Sequence, residues 1–366
     1  MKPILQIIKA KDFFQLLVTQ INHANSHILI QAMVIEFSHE MDDIIIALKT
    51  ASARGVKIIF HIDFYSQMYT LDHINYLPFV GKIRKEKIQT FKYINREIID
   101  DLKKSGVEFI YTNIPNGIIG KIFPVLGRNH TKITVIDSSA FIGGMNFSYE
   151  YVERADFMMM TTDENFVKIL TDQFYKINNN VPKEDYKIEI DKDTQLLVDV
   201  GKMRKSIIYD TALSTIKKTS RNLEFISQLL PDFEMLNEII SLARKNRKIS
   251  LITSSVKTKL GKRGVRKTIT KRIEYFLFQS RSKGLLHPLF FKGGNGRVHA
   301  KLLIVDANTM YQIAIFGSHN YSKFGVFFGT NEIAVQTRDP LIINQLSEWF
   351  SNISELQSQK SRFLDS

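Results

Sequence analysis

Apolar positions along this chain of 366 residues fall into a strand, helix, strand rhythm that occurs twice. Asn25-Ser26-His27 opens an apolar run over 28–35, which has the length and β-branched content of a buried strand. Residues 41–54 then place Ile44, Ile45, Leu48 and Ala51 at helical spacing, and Gly55 stands where a helix C-cap residue is expected. A second strand over 56–62 ends at Asp63. The same order returns with a strand over 223–230, a helix opened by Pro231-Asp232 and carried by Leu236, Ile239, Ile240 and Ala243, and a strand over 249–252. A further pair matches too. The helix 96–104, Gly106 and the strand 107–111 are echoed by the helix 271–282, Gly284 and the strand 285–291. Such alternation predicts parallel α/β units. Between the repeats, residues 178–194 carry Asn178-Asn179-Asn180, Pro182 and several charges, and read as a linker. Two domains are therefore expected, 1–180 and 181–366. The polar tail after Ile353 is expected to fray.

Composition narrows the chemistry. Apolar residues make up 44% of the chain, with 26 Phe and 13 Tyr, so each half can bury a substantial core. The absence of cysteine excludes disulfides, thiolate catalysis and Cys-type zinc sites, and fits a reducing, cytoplasmic setting. No apolar run reaches the roughly 18–20 residues of a membrane span, so no transmembrane segment is expected. The net charge is +13, from 50 Lys and Arg against 37 Asp and Glu. It is concentrated between Arg244 and Lys283, where 14 basic residues meet one acid, Glu274, leaving the remainder neutral. That segment suits an anionic lipid surface or nucleic acid; a solvated helix and loop face is the plain alternative.

Candidate chemistry lies at the end of each half. The first ends in His130-Thr131-Lys132, with Asp137 following, then Gly143-Gly144-Met145-Asn146. The second ends in His299-Ala300-Lys301, with Asp306 following, then Gly317-Ser318-His319-Asn320. A strand has period two, so each His shares a face with its Lys, while Asp137 and Asp306 point away and are expected to order the strand ends. Gly144 and Ser318 belong to small-residue turns that let the backbone approach a ligand, and Asn146 and Asn320 can offer amide donors to a phosphate oxygen. A single H-x-K is close to noise, but the whole pattern appears twice on equivalent elements.

These residues resemble the phospholipase D superfamily, whose signature is a doubled H-x-K-x4-D followed by G-x-x-N or a close relative. The first half is similar to bacterial cardiolipin synthases, through Arg128-Asn129-His130, Gly143 to Asn146, Glu150-Tyr151 and Arg154-Ala155-Asp156. The resemblance runs from about Ser26 to Thr337. It implies two α-β-α sandwich domains with mixed, largely parallel sheets, related by a pseudo-two-fold axis. It implies phosphodiester transfer or hydrolysis through a phosphohistidine, with His130 as nucleophile, His299 as general acid, and Lys132, Lys301, Asn146 and Asn320 around the phosphate. It also implies a carboxylate after each Asn to fix the imidazole tautomers, a place that Asp156 and Glu332 fit. No metal or other cofactor is required. The expected substrate is a phospholipid, reached by peripheral docking on an anionic membrane. The alternative is a metal-independent endonuclease that tracks nucleic acid along the basic segment, and a third reading is a non-catalytic binding module. Two departures stand out: the turn after Asp137 is short, while the gap after Asp306 predicts a wider hairpin.

Overall fold

The computed structural model describes residues 3–64, 66, 82–114, 127–176, 183–231, 233–254, 275–291 and 297–362. Strands β1 (Gln6–Lys9), β2 (His27–Ala32), β3 (Lys57–Asp63), β4 (Glu108–Thr112), β5 (Ile133–Ile136), β6 (Ser139–Gly143) and β7 (Phe157–Thr161) form one sheet in the order β1-β7-β6-β5-β2-β3-β4. Strands β8 (Tyr186–Glu189), β9 (Thr194–Val200), β10 (Asn222–Ser227), β11 (Lys248–Ser254), β12 (Leu289–Phe291), β13 (Leu302–Val305), β14 (Ile313–Gly317) and β15 (Asn331–Thr337) form the other, in the order β12-β11-β10-β13-β14-β15-β9-β8. Read from β9 to β12, the second sheet repeats the first strand for strand, with β8 added at its edge. The duplication seen in the apolar pattern is thus a duplication of topology.

Both sheets are mixed, but they are not largely parallel. Among the described strands, only β2 with β3, β3 with β4, β10 with β11, and β11 with β12 run parallel. A parallel pair needs a long crossover, whereas the motif strands β5 and β13 return directly as antiparallel hairpins. The first hairpin is tight, with Ile136 opposite Ser139. The second is wide, with Val305 opposite Ile313, which accounts for the unequal gaps after Asp137 and Asp306.

Three further expectations need correction. Residues 186–189, read as linker, form β8: Tyr186 and Ile188 turn half-buried toward the sheet while Lys187 and Glu189 face out, a period-two pattern hidden among the charges. The polar tail does not fray where expected, because a helix spans Pro340–Arg362 and seats Trp349, Phe350 and Ile353 in the core. The strand expected over 285–291 is confined to β12, paired at Ile252 with Leu289. Most of the basic segment, 255–274, lies outside the described residues.

Helices α1 (Ala10–His23), α2 (Asp42–Ala53) and α3 (Lys82–Lys104) cover one face of the first sheet. Helices α5 (Ile207–Lys217), α6 (Phe233–Arg244) and α7 (275–282) cover the outer face of the second. Between the sheets lie α4 (Glu164–Lys176) and α9 (Pro340–Arg362). The core there draws Val135, Ile142 and Phe157 from one sheet and Ile226, Leu302 and Phe316 from the other, sealed by Phe174 and Trp349. Phe157 packs on Trp349 at 4.8 Å and on Phe316 at 6.1 Å between ring centroids. This shared core fixes the two halves against each other. Among the described residues no helix is long and apolar enough to cross a membrane.

Candidate active site

Each motif begins just before its hairpin strand, in backbone borrowed by the other half. The His130 N–H donates to the Asn331 carbonyl at 2.9 Å, and the Asn331 N–H donates to the Arg128 carbonyl at 2.7 Å. In the mirror position, the His299 and Ala300 N–H groups both donate to the Ala155 carbonyl, at 3.0 and 2.9 Å, while the Ala155 N–H donates to Arg297. Each histidine segment is therefore clamped to the stretch that carries the opposite half's acid.

The side chains follow the same crossing. His130 Nδ1 lies 2.9 Å from Glu332 Oε2, and His299 Nδ1 lies 2.7 Å from Asp156 Oδ2. The two carboxylates placed after the asparagines thus meet the histidines, each serving the other half's ring. Lys132 Nζ donates to the His130 carbonyl at 2.5 Å. Lys301 Nζ sits over the His299 ring, 3.0 Å from Nδ1 and 3.2 Å from Nε2, and donates to the His299 carbonyl. All six groups are buried.

Their charges act on one another across the halves. Burial pushes His130 down to about 4, helped by the charges of Lys132 and Lys301 and opposed by Glu332. Burial also holds His299 well below its ordinary value, with Lys301, Arg154, Lys132 and His130 adding to the effect. Lys132 falls to about 7, through burial first and the Lys301 charge next, against Glu332, Asp156 and Asp63. The two imidazoles and two ammoniums therefore converge on one region.

The carboxylates differ. Burial opposes ionisation of Glu332, but its pairing with His130 and the charges of His319 and Lys132 outweigh burial and hold it at about 2. The Ser318 hydroxyl also donates to Glu332. Burial raises Asp156, and Lys301, the Phe157 N–H, Arg154 and Lys132 only partly offset it. Gly144, the counterpart of Ser318, leaves room for this acid: a Cβ there meets Asp156 Oδ1 at 2.8 Å.

The remaining predicted residues divide. Asn146 Nδ2 donates to the Tyr151 hydroxyl at 2.6 Å, and its Oδ1 accepts the Val34 N–H at 3.3 Å. Asn320 Oδ1 is buried without a hydrogen-bond partner among the described residues. Asp137 and Asp306 order the strand entries and are not bonded to His130 or His299. Asp137 accepts the N–H groups of Asn25, Ser26 and His27, at 2.7, 3.1 and 2.8 Å. Asp306 accepts those of Ser220, Arg221 and Asn222. His319, beside the second turn, is buried and accepts the Tyr321 N–H at Nδ1. No group of three metal-binding side chains occurs among the described residues.

Three residues near the site were given no role there by the sequence. Tyr151 sets its ring edge-on to His299 at 4.6 Å, under the Arg154 guanidinium at 3.8 Å. Asp63, visible only as a strand end, accepts the Asn129 N–H at 2.6 Å and holds charge toward Lys132. Asp199 stands opposite Glu332 on β9 and is pushed well above the carboxylate range by burial. An acid inside the apolar run of β9 was the signal available for it.

A doubled imidazole–ammonium pair on this topology defines a class. The chain belongs to the phospholipase D family: the family model described as cardiolipin synthase, PLD-like domain, matches residues 17–178 and 212–354. No curated protein matches it in sequence. Its fold is similar to that of a phosphatidylserine synthase from Haemophilus influenzae, at 12% identity over 96% of this chain and 86% of that one, with a TM-score of 0.65. It is also similar to that of a polyphosphate kinase from Porphyromonas gingivalis, at 12% identity over 95% of this chain and 50% of that one, with a TM-score of 0.57.

Proposed function

We propose that the chain is a phospholipid-directed phosphodiester-transferring enzyme, a phosphatidyltransferase or phospholipase D, working through a phosphohistidine. The observation that carries this reading is the crosswise pair of Nδ1–carboxylate contacts, which turns Nε2 of His130 to chemistry and sets Nε2 of His299 beside the Lys301 ammonium. His130 is paired with an ionised Glu332, so its proton sits on Nδ1 and its Nε2 lone pair can attack phosphorus. The bond to the leaving alcohol breaks, and His299 gives that oxygen a proton. In the second step His299 takes a proton from the incoming water or alcohol, whose oxygen displaces Nε2 of His130. Lys132, Lys301, Asn146 and Asn320 neutralise and bond the equatorial oxygens. An anionic phosphodiester raises the depressed lysine and histidine values, so binding substrate itself loads the protons that the reaction spends.

The family model and the fold shared with a phosphatidylserine synthase support phospholipid as the substrate class. The test is incubation with vesicles of phosphatidylglycerol or phosphatidylcholine labelled at the phosphate, in excess chelator, followed by a denaturing quench at alkaline pH, which spares the acid-labile N–P bond. Release of glycerol or choline and a labelled protein that vanishes in His130→Ala are expected. Cleavage of DNA with no turnover of any phospholipid overturns the proposal.

A further inference from the structure

Close to the candidate site the chain spends exposed apolar surface and backbone strain together. Helix α8 (Lys323–Phe328) fills the stretch between Asn320 and Asn331, the residue bonded to the backbones of Arg128 and His130. The Gly127 N–H also donates to the Phe328 carbonyl at 3.1 Å, so the helix is tied directly to the segment that leads into His130. Val326 turns inward and is buried, while Phe327 is 47% exposed. The loop 201–205 is packed against this helix. Gly201 and Gly329 approach so closely that a Cβ on Gly201 meets the Gly329 carbonyl at 2.8 Å, and the Arg204 N–H donates to the Val326 carbonyl at 2.8 Å. The loop presents Met203, 53% exposed, and its Arg204 adopts φ 65° to place a guanidinium 5.4 Å from the Phe327 ring.

An arginine in left-handed backbone costs free energy, and exposed Met and Phe side chains on one joined rim gain nothing from water. The charge around them is cationic. Lys202 is paired with Glu184, and Lys323 with Glu234. Asp185 is taken up by the N–H groups of Val200 and Ile207. Glu184 also faces Lys205 and Asp185 keeps its charge, so Lys202, Arg204, Lys205 and Lys323 against Glu184, Asp185 and Glu234 leave one net positive charge, carried by the exposed Arg204 and Lys205 beside the apolar tips.

We propose that loop 201–205 and α8 form a docking face for an anionic phospholipid surface, with Met203 and Phe327 entering the headgroup–acyl boundary and Arg204 and Lys205 meeting lipid phosphates. The inference rests on the phospholipid reading above and names the surface that brings this site to its substrate. Apolar tips flanked by cations match the membrane interface, where the chain need only dip in and not cross. A nucleic acid fits less well, because the Phe327 ring is already met by the Arg204 guanidinium at 5.4 Å and Met203 has no ring face for a base to stack on.

The test is co-sedimentation of the full chain with vesicles of phosphatidylcholine alone and of equimolar phosphatidylcholine and phosphatidylglycerol. Hydrolysis of bis(p-nitrophenyl) phosphate, a soluble diester, is followed in parallel. Wild type is expected on the anionic vesicles. Met203→Ser with Phe327→Ser is expected to lower partitioning about tenfold and leave diester hydrolysis unchanged. Arg204→Glu with Lys205→Glu is expected to do the same, through charge and not apolar burial. Unchanged partitioning in both double variants overturns the proposal. So does a wild type that ignores vesicles but binds a DNA duplex through this face. Vesicle binding that both variants abolish, in a protein that turns over no phospholipid, upholds the docking face and removes the substrate reading instead.

Discussion

The two half-sites are alike in plan and unlike in charge. Glu332 is ionised and held by both His130 and Ser318, whereas Asp156 is raised by burial and faces Gly144 where its counterpart finds a hydroxyl. In the proposed mechanism this difference gives each histidine a separate task. Glu332→Gln keeps an acceptor for His130 Nδ1 but removes the charge that stabilises the ring as it bonds phosphorus. A loss of about 10³-fold in kcat on a soluble diester, with KM little changed, is expected from steady-state kinetics. In the proposed mechanism the proton for the leaving alcohol comes from the His299–Asp156 pair. Since burial holds that acid protonated above the usual carboxylate range, activity falls as pH rises through the pair's titration. Asp156→Asn is expected to remove this alkaline limb from the pH–kcat profile. The folded-state shifts also set a stability trend. His130 lies below its ordinary 6.5, so stability declines as pH falls from 6.5 toward about 4. Glu332 lies below 4.5, so its contribution is complete above 4.5 and lost as pH falls toward about 2. Urea midpoints across this range check both, and Glu332→Gln is expected to flatten the more acid part.

At the scale of elements, the motif aspartates and the neighbouring strands decide whether the histidines are held. Asp306 closes the entry to β10 by accepting three successive backbone N–H groups. Removing it leaves those donors short of a partner at a partly buried turn. Asp306→Ala is expected to destabilise the fold by about 2–3 kcal/mol in urea titration while kcat on a soluble diester stays near wild type. The depressed carboxyl at Asp306 makes this contribution one that is present above 3.8 and fades below it. Asp199 works in the opposite sense. It stands in register with Glu332 on the adjacent antiparallel strand, and its pKa is raised above 3.8 by burial, with Asp185 and Glu332 adding to the rise. Folding therefore carries a penalty at every pH above 3.8, where the unfolded chain prefers the charged form. Asp199→Asn keeps an acceptor for the Gly201 N–H and is expected to raise the melting temperature by a few degrees at pH 7. The gain disappears below pH 3.8, where the acid is neutral in both states. Elements of this kind were readable from local pattern where apolar period and turn residue agreed, as in residues 41–55, which form α2 and its glycine stop. They were misread where one signal masked another: the Asn, Pro and charged residues before Thr194 hid the alternation that makes β8 a strand. The ratio of parallel to antiparallel pairs was also beyond local pattern, since it depends on where the hairpin strands insert.

At the scale of the molecule, the doubled pattern was visible because sequence repeats report directly on repeated topology. The crossing of partners was not, because nothing along the chain says that Glu332 reaches His130 or that Asp156 reaches His299. That crossing requires the two sheets to face each other over one core. Val135 and Phe157 from the first half, Leu302 and Phe316 from the second, and Trp349 from the C-terminal helix all supply it. Neither half can then assemble half of a working site by itself, because each histidine takes its carboxylate and its backbone clamp from the other. Both histidines of one site also come from one chain. The consequence is testable by mixing His130→Ala with His299→Ala. If two chains shared their motifs across an intermolecular site, the mixture would regain up to about a quarter of wild-type activity through sites carrying both intact rings. With the site closed within one chain, the mixture is expected to stay as inactive as either variant alone at every protein concentration. Recovery of activity that grows with concentration would show that the halves pair between molecules.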